Sequence, residues 1–192
     1  MVSLLTITRF KGYSCLTSAI KKVLILASQG VEQIELTSPR DALKDAGVQV
    51  SLAAPEGKEF QGMNGDWEKA DTFTPDLALA DVNVEEFDAL VLAGGTLNAD
   101  AMRINPEARS ITVQFFEAEK PVAAICHAPW LLIDSKKVEG KKLTSYTSVK
   151  SDLENAGAIW VDEEVVEDGN LITSRNPSDL EAFNKAIIAK LS

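Results

Sequence analysis

The sequence predicts an α/β three-layer sandwich with a mostly parallel central sheet, on three observations. Short, continuous apolar runs recur along the chain, as expected of strands covered on both faces. Segments with helical apolar spacing lie between them, which implies right-handed crossovers. No internal repeat, low-complexity tract or linker interrupts residues 21–192, which read as a single domain.

The elements follow in order. Lys22 to Ala27 is the first apolar strand. Glu32 to Ala46 has helical spacing through Ile34, Leu36, Ala42 and Leu43, and Gly47 provides a stop. Pro39 inside it predicts a bend or a late start. Val48 to Ala54 is a second strand, and Gly57 to Asp71, with Gly62, Asn64 and Gly65, reads as a hairpin or turn-rich insertion. Asp88 to Ala93 is a strand ending in Gly94-Gly95. Asn105-Pro106 then opens a helix to about Glu119, with proline in its first turn. Pro121 to Ile125 leads as a strand into Cys126 and a helix beyond. Leu143–Tyr146 and Ile159–Val161 are short strands flanking a helical 148–156. Glu164–Glu167 and Asn170–Thr173 face each other across Asp168-Gly169, a hairpin signal, and a final helix runs to Leu191.

Composition excludes several function classes. The chain has 192 residues, 45% hydrophobic and 25% charged, enough for a sizeable core. Nineteen Lys and Arg against 29 Asp and Glu give a net charge of −10, a poor match for nucleic acid or anionic membranes. No apolar run approaches the ~20 residues that span a bilayer. Cys15 and Cys126 are far apart and read as free thiols of a reducing compartment, the cytoplasm. Residues 1–20 form a separate extension with Arg9, Lys11, six Ser or Thr and no acid. That composition resembles an organelle transit peptide, but the amphipathic pattern is weak. An added strand, an expression remnant or an upstream start is the preferred reading. A single histidine rules out a multi-histidine metal site within one chain, and no dinucleotide or phosphate-loop fingerprint is present, so no cofactor is expected.

Ligands of such sheets bind beyond the carboxyl ends of the strands. Three features fall there: Glu32, Gly94-Gly95 and Cys126-His127. A thiol at a strand-to-helix turn sits near free N–H groups and a helix dipole, which favour thiolate. The adjacent imidazole is a possible acid or base. Read from the residues alone, Cys126 is equally a buried structural cysteine and His127 a packed one. Glu32 is equally a favourable charge in a first helical turn, and the double glycine only a turn.

Longer stretches carry a resemblance. Val31-Glu-Gln-Ile-Glu-Leu36, Ala89-Leu-Val-Leu-Ala-Gly-Gly95 and Lys120-Pro-Val-Ala-Ala-Ile-Cys-His127 resemble the ThiJ/PfpI superfamily. So do Leu143-Thr-Ser-Tyr146, Asn155-Ala-Gly157 and Gly169-Asn-Leu-Ile-Thr-Ser-Arg175, the nearest branch being the PfpI-type intracellular cysteine peptidases. The resemblance implies a flavodoxin-like sandwich, similar to class I glutamine amidotransferases, in homodimers or higher oligomers. It implies peptidase, glyoxalase or deglycase activity on a peptide, small carbonyl or glycated substrate. By the same resemblance Cys126 is the nucleophile on a strained turn, its pKa lowered by the following helix. His127 is its acid–base partner and Glu32 the glutamate that hydrogen-bonds its sulfur. Asp100 aligns with a carboxylate that orients the histidine and can come from a neighbouring subunit. The Gly95 and His127 N–H groups form an oxyanion hole. Glu35 reads as ordinary helix surface or a structural residue. The alternative function is a non-enzymatic, redox-sensing or chaperone-like stress protein using an oxidisable Cys126.

Overall fold

A computed structural model describes residues 20–192; the extension, Cys15 included, lies outside the described residues apart from Ile20. The chain opens with β1 (Lys22–Leu26), β2 (Val31–Glu32), α1 (Gln33–Asp45) and β3 (Gln49–Ala54). The hairpin β4 (Phe60–Asn64) and β5 (Glu68–Phe73) follows, then β6 (Leu77–Ala78), β7 (Ala89–Leu92), α2 (Thr96–Ile104) and α3 (Pro106–Glu117). Next come β8 (Val122–Ile125), α4 (Pro129–Asp134), β9 (Lys142–Leu143), α5 (Lys150–Asn155) and β10 (Ile159–Trp160). The hairpin β11 (Val165–Asp168) and β12 (Leu171–Ser174) precedes the last helix, α6 (Leu180–Lys190).

Seven strands form the central sheet in the order β11-β12-β8-β7-β1-β3-β6. All neighbours are parallel except β11 and β12. Side chains alternate between two cores, because successive strand residues point to opposite faces. Val23, Ile25, Val91 and Ile125 pack with Leu36, Leu43 and Phe183 of α1 and α6. Leu24, Leu26, Leu90 and Ala124 pack with Met102, Phe115 and Leu132 of α2, α3 and α4. The result is the α/β sandwich that the apolar runs predict, in the flavodoxin-like form that the resemblance implies. No helix among the described residues is long and apolar enough to cross a membrane.

Two local differences matter. The stretch after Gly94-Gly95 is a helix, α2, rather than a loop; Asn98, Ala99 and Met102 form its buried side. Pro39 does not interrupt α1, which runs unbroken from Gln33 and buries Glu35, Leu36, Pro39 and Leu43. The buried stripe of α1 therefore runs through 35, 36, 39 and 43, and Ile34 is exposed.

Candidate active site

In the sheet, β1, β7 and β8 are successive neighbours, so their carboxyl ends bring Glu32, Gly94-Gly95 and Cys126 to one rim. Cys126 follows β8 with φ +63°, a left-handed backbone rare outside glycine. Its N–H donates to the Ser174 carbonyl at 3.0 Å, and its carbonyl accepts the Tyr146 N–H at 2.9 Å. The main chain is thus pinned on both sides while the side chain turns toward a cavity of about 390 Å³. Glu32, Glu35, Asp66, Thr96, His127 and Tyr146 line it as well.

The carboxyl beside the sulfur belongs to Glu35, not Glu32. Glu35 is fully buried. Neither of its oxygens has a well-directed hydrogen bond; the polar groups within reach are the Cys126 thiol and the Gly95 N–H. Burial, helped by Glu32 and Asp66, pushes this carboxyl up to about 8, so it is a neutral acid at pH 7. Gly94 makes its place, because a Cβ there would overlap Glu35 Oε2 and stand 2.8 Å from Cys126 Cβ. Glu32 precedes the first turn of α1 in extended backbone, which aims its side chain elsewhere. Its Oε2 accepts the Gly65 N–H at 2.7 Å and so holds the β4–β5 turn over the cavity. Partial burial pushes Glu32 up, while that N–H opposes the shift.

The expected lowering of the thiol pKa is also corrected. Cys126 is 7% exposed, and burial, reinforced by the adjacent Glu35, pushes the thiol up. The N–H groups of Gly95 and His127 approach the sulfur and pull the other way without prevailing. The desolvation cost of a buried thiolate exceeds what two N–H groups return. Gly95 requires its φ of +89°, and a Cβ there would collide with the backbone at Gly30 and Glu32.

His127 is 7% exposed, with Nδ1 3.1 Å from Cys126 Sγ and Nε2 3.0 Å from Ser148 Oγ. Its ring stacks on Tyr146 at 4.7 Å between centroids and meets Trp130 at 5.2 Å. Burial holds its pKa below the usual histidine value, opposed by Asp66, which leaves a neutral imidazole at pH 7. Asp100 is exposed on the outward side of α2 and is not among the residues lining the cavity. Within one chain, then, the group on the far side of the imidazole is the Ser148 hydroxyl. Asp66 instead accepts the Thr96 N–H at 3.1 Å and the Thr96 hydroxyl at 2.6 Å, tying the hairpin turn to α2.

Sequence reasoning missed Glu35, Asp66 and Ser148. For Glu35 a signal existed: it shares the helix stripe of Leu36, Pro39 and Leu43. Asp66 and Ser148 sit in turns whose approach to Cys126 is set only by the tertiary fold. Among the described residues no group of three or more His, Cys, Asp or Glu is arranged to hold a metal ion.

Comparison with known proteins fits this architecture. Residues 21–190 match the DJ-1/PfpI family. Deglycase TK1284 of Thermococcus kodakarensis is 42% identical over 170 residues, covering 88% of this chain and 99% of that protein. General stress protein 18 of Bacillus subtilis is 41% identical over 173 residues, covering 89% and 98%. A solved structure from Anabaena variabilis, with DJ-1/ThiJ/PfpI-like and ferritin-like domains, superposes with a TM-score of 0.84 at 38% identity. That match covers 89% of this chain but only 48% of the two-domain protein.

Proposed function

The chain belongs to the DJ-1/PfpI family, and from that premise we propose that it is a cofactor-free cysteine hydrolase acting on carbonyl carbons of small or glycated substrates. The observation that carries the reading is the junction of Cys126, on its left-handed turn, with the His127 imidazole at 3.1 Å and the buried Glu35 carboxyl. A cavity of about 390 Å³ lies near the lower end of the ~300–1,000 Å³ common for small-molecule sites. That size favours a dicarbonyl or a glycation adduct over an extended peptide. The names of relatives, a deglycase and a stress protein, support the same choice and a role in stress response. The free thiol suits a reducing compartment such as the cytoplasm.

Because burial disfavours a resting thiolate, the thiol needs a base. Nδ1 of neutral His127 takes the Cys126 proton as sulfur attacks the carbonyl carbon, forming a C–S bond and an oxyanion. The Gly95 and His127 N–H groups hold that oxygen, and the Glu35 carboxyl donates to whichever sulfur or oxygen carries negative charge. From an amine adduct the amine leaves with the proton that His127 returns; from a free dicarbonyl nothing leaves, and both routes give the same thiohemiacetal. A base moves the proton from its C1 to the neighbouring carbonyl carbon through an enediol, which oxidises C1 to a thioester and reduces C2 to an alcohol. Water then hydrolyses the thioester to a 2-hydroxy acid and restores the thiol.

The test is turnover of methylglyoxal, a glycated amine and a denatured protein by wild type, Cys126→Ala and Glu35→Gln. Cys126→Ala is expected to lose at least about a thousandfold in kcat on the first two substrates. Equal rates for wild type and Cys126→Ala on all three would overturn the reading. Peroxide-dependent mass gain confined to Cys126, without turnover, would establish the redox-sensing alternative instead.

A further inference from the structure

We propose that Ser148 is the positioning residue for His127: its hydroxyl accepts the Nε2–H and fixes the imidazole in the tautomer whose Nδ1 lone pair faces Cys126 Sγ. The proposal rests on the cysteine-hydrolase reading for its catalytic meaning, though not for its geometry. A neutral imidazole carries one N–H and one lone pair, and each ring nitrogen has one polar neighbour here. Nδ1 faces the sulfur at 3.1 Å and Nε2 faces Ser148 Oγ at 3.0 Å. A protonated thiol needs the lone pair on Nδ1, which places the hydrogen on Nε2 and requires an acceptor there.

The hydroxyl is held for that role from both sides. The Tyr146 N–H is bonded to the Cys126 carbonyl at 2.9 Å, tying this loop to the nucleophile turn. The Tyr146 ring stacks on the imidazole itself. On the other side Val149 is fully buried and its N–H returns to the Tyr146 carbonyl at 3.0 Å. Ser148 lies between these anchors as an exposed residue whose oxygen meets the ring. A hydroxyl orients without adding charge, so the imidazole remains an unprotonated base. Thiol, ring and orienting oxygen thereby stand in series within one chain.

The single histidine makes the proposal directly readable, since tag-free protein labelled with ¹⁵N-histidine gives one imidazole spectrum. Wild type and Ser148→Thr are expected to show well-separated Nδ1 and Nε2 signals, with the hydrogen on Nε2 alone. Ser148→Ala is expected to move both signals toward their tautomer average and to lower kcat about tenfold with KM unchanged, Ser148→Thr restoring most of the loss. An unchanged Ser148→Ala spectrum overturns the proposal. So does a tautomer shift in Asp100→Asn with none in Ser148→Ala, which would assign the orienting group to a neighbouring subunit. Absence of turnover in wild type would sink the hydrolase reading, while the spectra would still decide on Ser148.

Discussion

The floor and the rim of the cavity both present carboxyl groups, and they are built in opposite ways. At the floor, Glu35 is sealed inside the protein under Gly94, without a well-directed hydrogen bond, and is held as a neutral acid. At the rim, Glu32 and Asp66 are partly solvated, and each accepts a backbone N–H from another segment, Gly65 and Thr96 respectively. Deep burial with only poorly directed polar neighbours keeps a proton in place. Partial exposure with N–H partners instead makes an acid into a tether for a loop. Two glutamates three positions apart therefore serve different ends, one toward protonation of the sulfur and the other toward the shape of the entrance.

The strongest attack on this contrast is steric. Gly94→Ala forces a methyl group into the space of the Glu35 carboxyl and against Cys126 Cβ. The loss of stability by urea denaturation is expected to be about 3 kcal/mol, at the upper end for overpacking, with activity abolished. A Gly94→Ala protein of wild-type stability and rate would show that the floor is soft and that Glu35 has room to turn away.

The next test uses pH. Glu35 has an ordinary value of 4.5 and a folded value of about 8, so between these the native state binds a proton that the unfolded chain has released. Stability is therefore fully present below about 4.5 and is lost as pH rises toward 8, at no more than about 1.4 kcal/mol per pH unit. Denaturation at pH 5.5 and 7.5 is expected to show this fall in wild type and to lose most of it in Glu35→Gln. A slope of the same size in both proteins would remove the neutral acid from the floor. The Cys126 thiol pulls the Glu35 value down, so Cys126→Ala is expected to keep the slope and to extend it to higher pH.

Much of this was legible in advance, for identifiable reasons. Runs such as Ala89–Ala93 and Val122–Ile125 are apolar at every position, as expected of strands covered on both faces, and their ends located Gly94-Gly95 and Cys126. The error over Glu32 and Glu35 came from the phase of α1. Counting Ile34 into the apolar face turned Glu35 outward, whereas the packed stripe exposes Ile34 and buries Glu35 beside Leu36. A carboxyl on a buried stripe violates the usual pattern, and such violations collect at functional sites. Ser148 and Asp66 carried no comparable mark, because a turn residue 21 positions from His127 or one opposite Thr96 gains its meaning from tertiary contact. The thiol was misjudged for a different reason: helix and N–H effects are visible in a strand-to-helix motif, but the depth of burial that outweighs them is not.

The smallest expected effect is the sharpest test of which glutamate does what. Glu32→Gln keeps an oxygen to accept the Gly65 N–H, and the side chain is partly solvated, so stability is expected to stay within about 0.5 kcal/mol of wild type. Weakening that charge-assisted bond loosens the hairpin turn over the cavity, which should raise KM about two- to fivefold and leave kcat nearly unchanged. The dependence of stability on pH should keep most of its wild-type size, losing only what Glu32's own raised value and its repulsion of Glu35 supply, since the main proton sits on Glu35. The opposite pattern, a slope abolished by Glu32→Gln and kept by Glu35→Gln, would return the sulfur's carboxyl to position 32. Measured side by side, the two variants each exchange one carboxyl oxygen for an NH2 group, at points one helical turn apart. A difference between them therefore reports burial and its consequence for the proton, rather than the chemistry of the side chain.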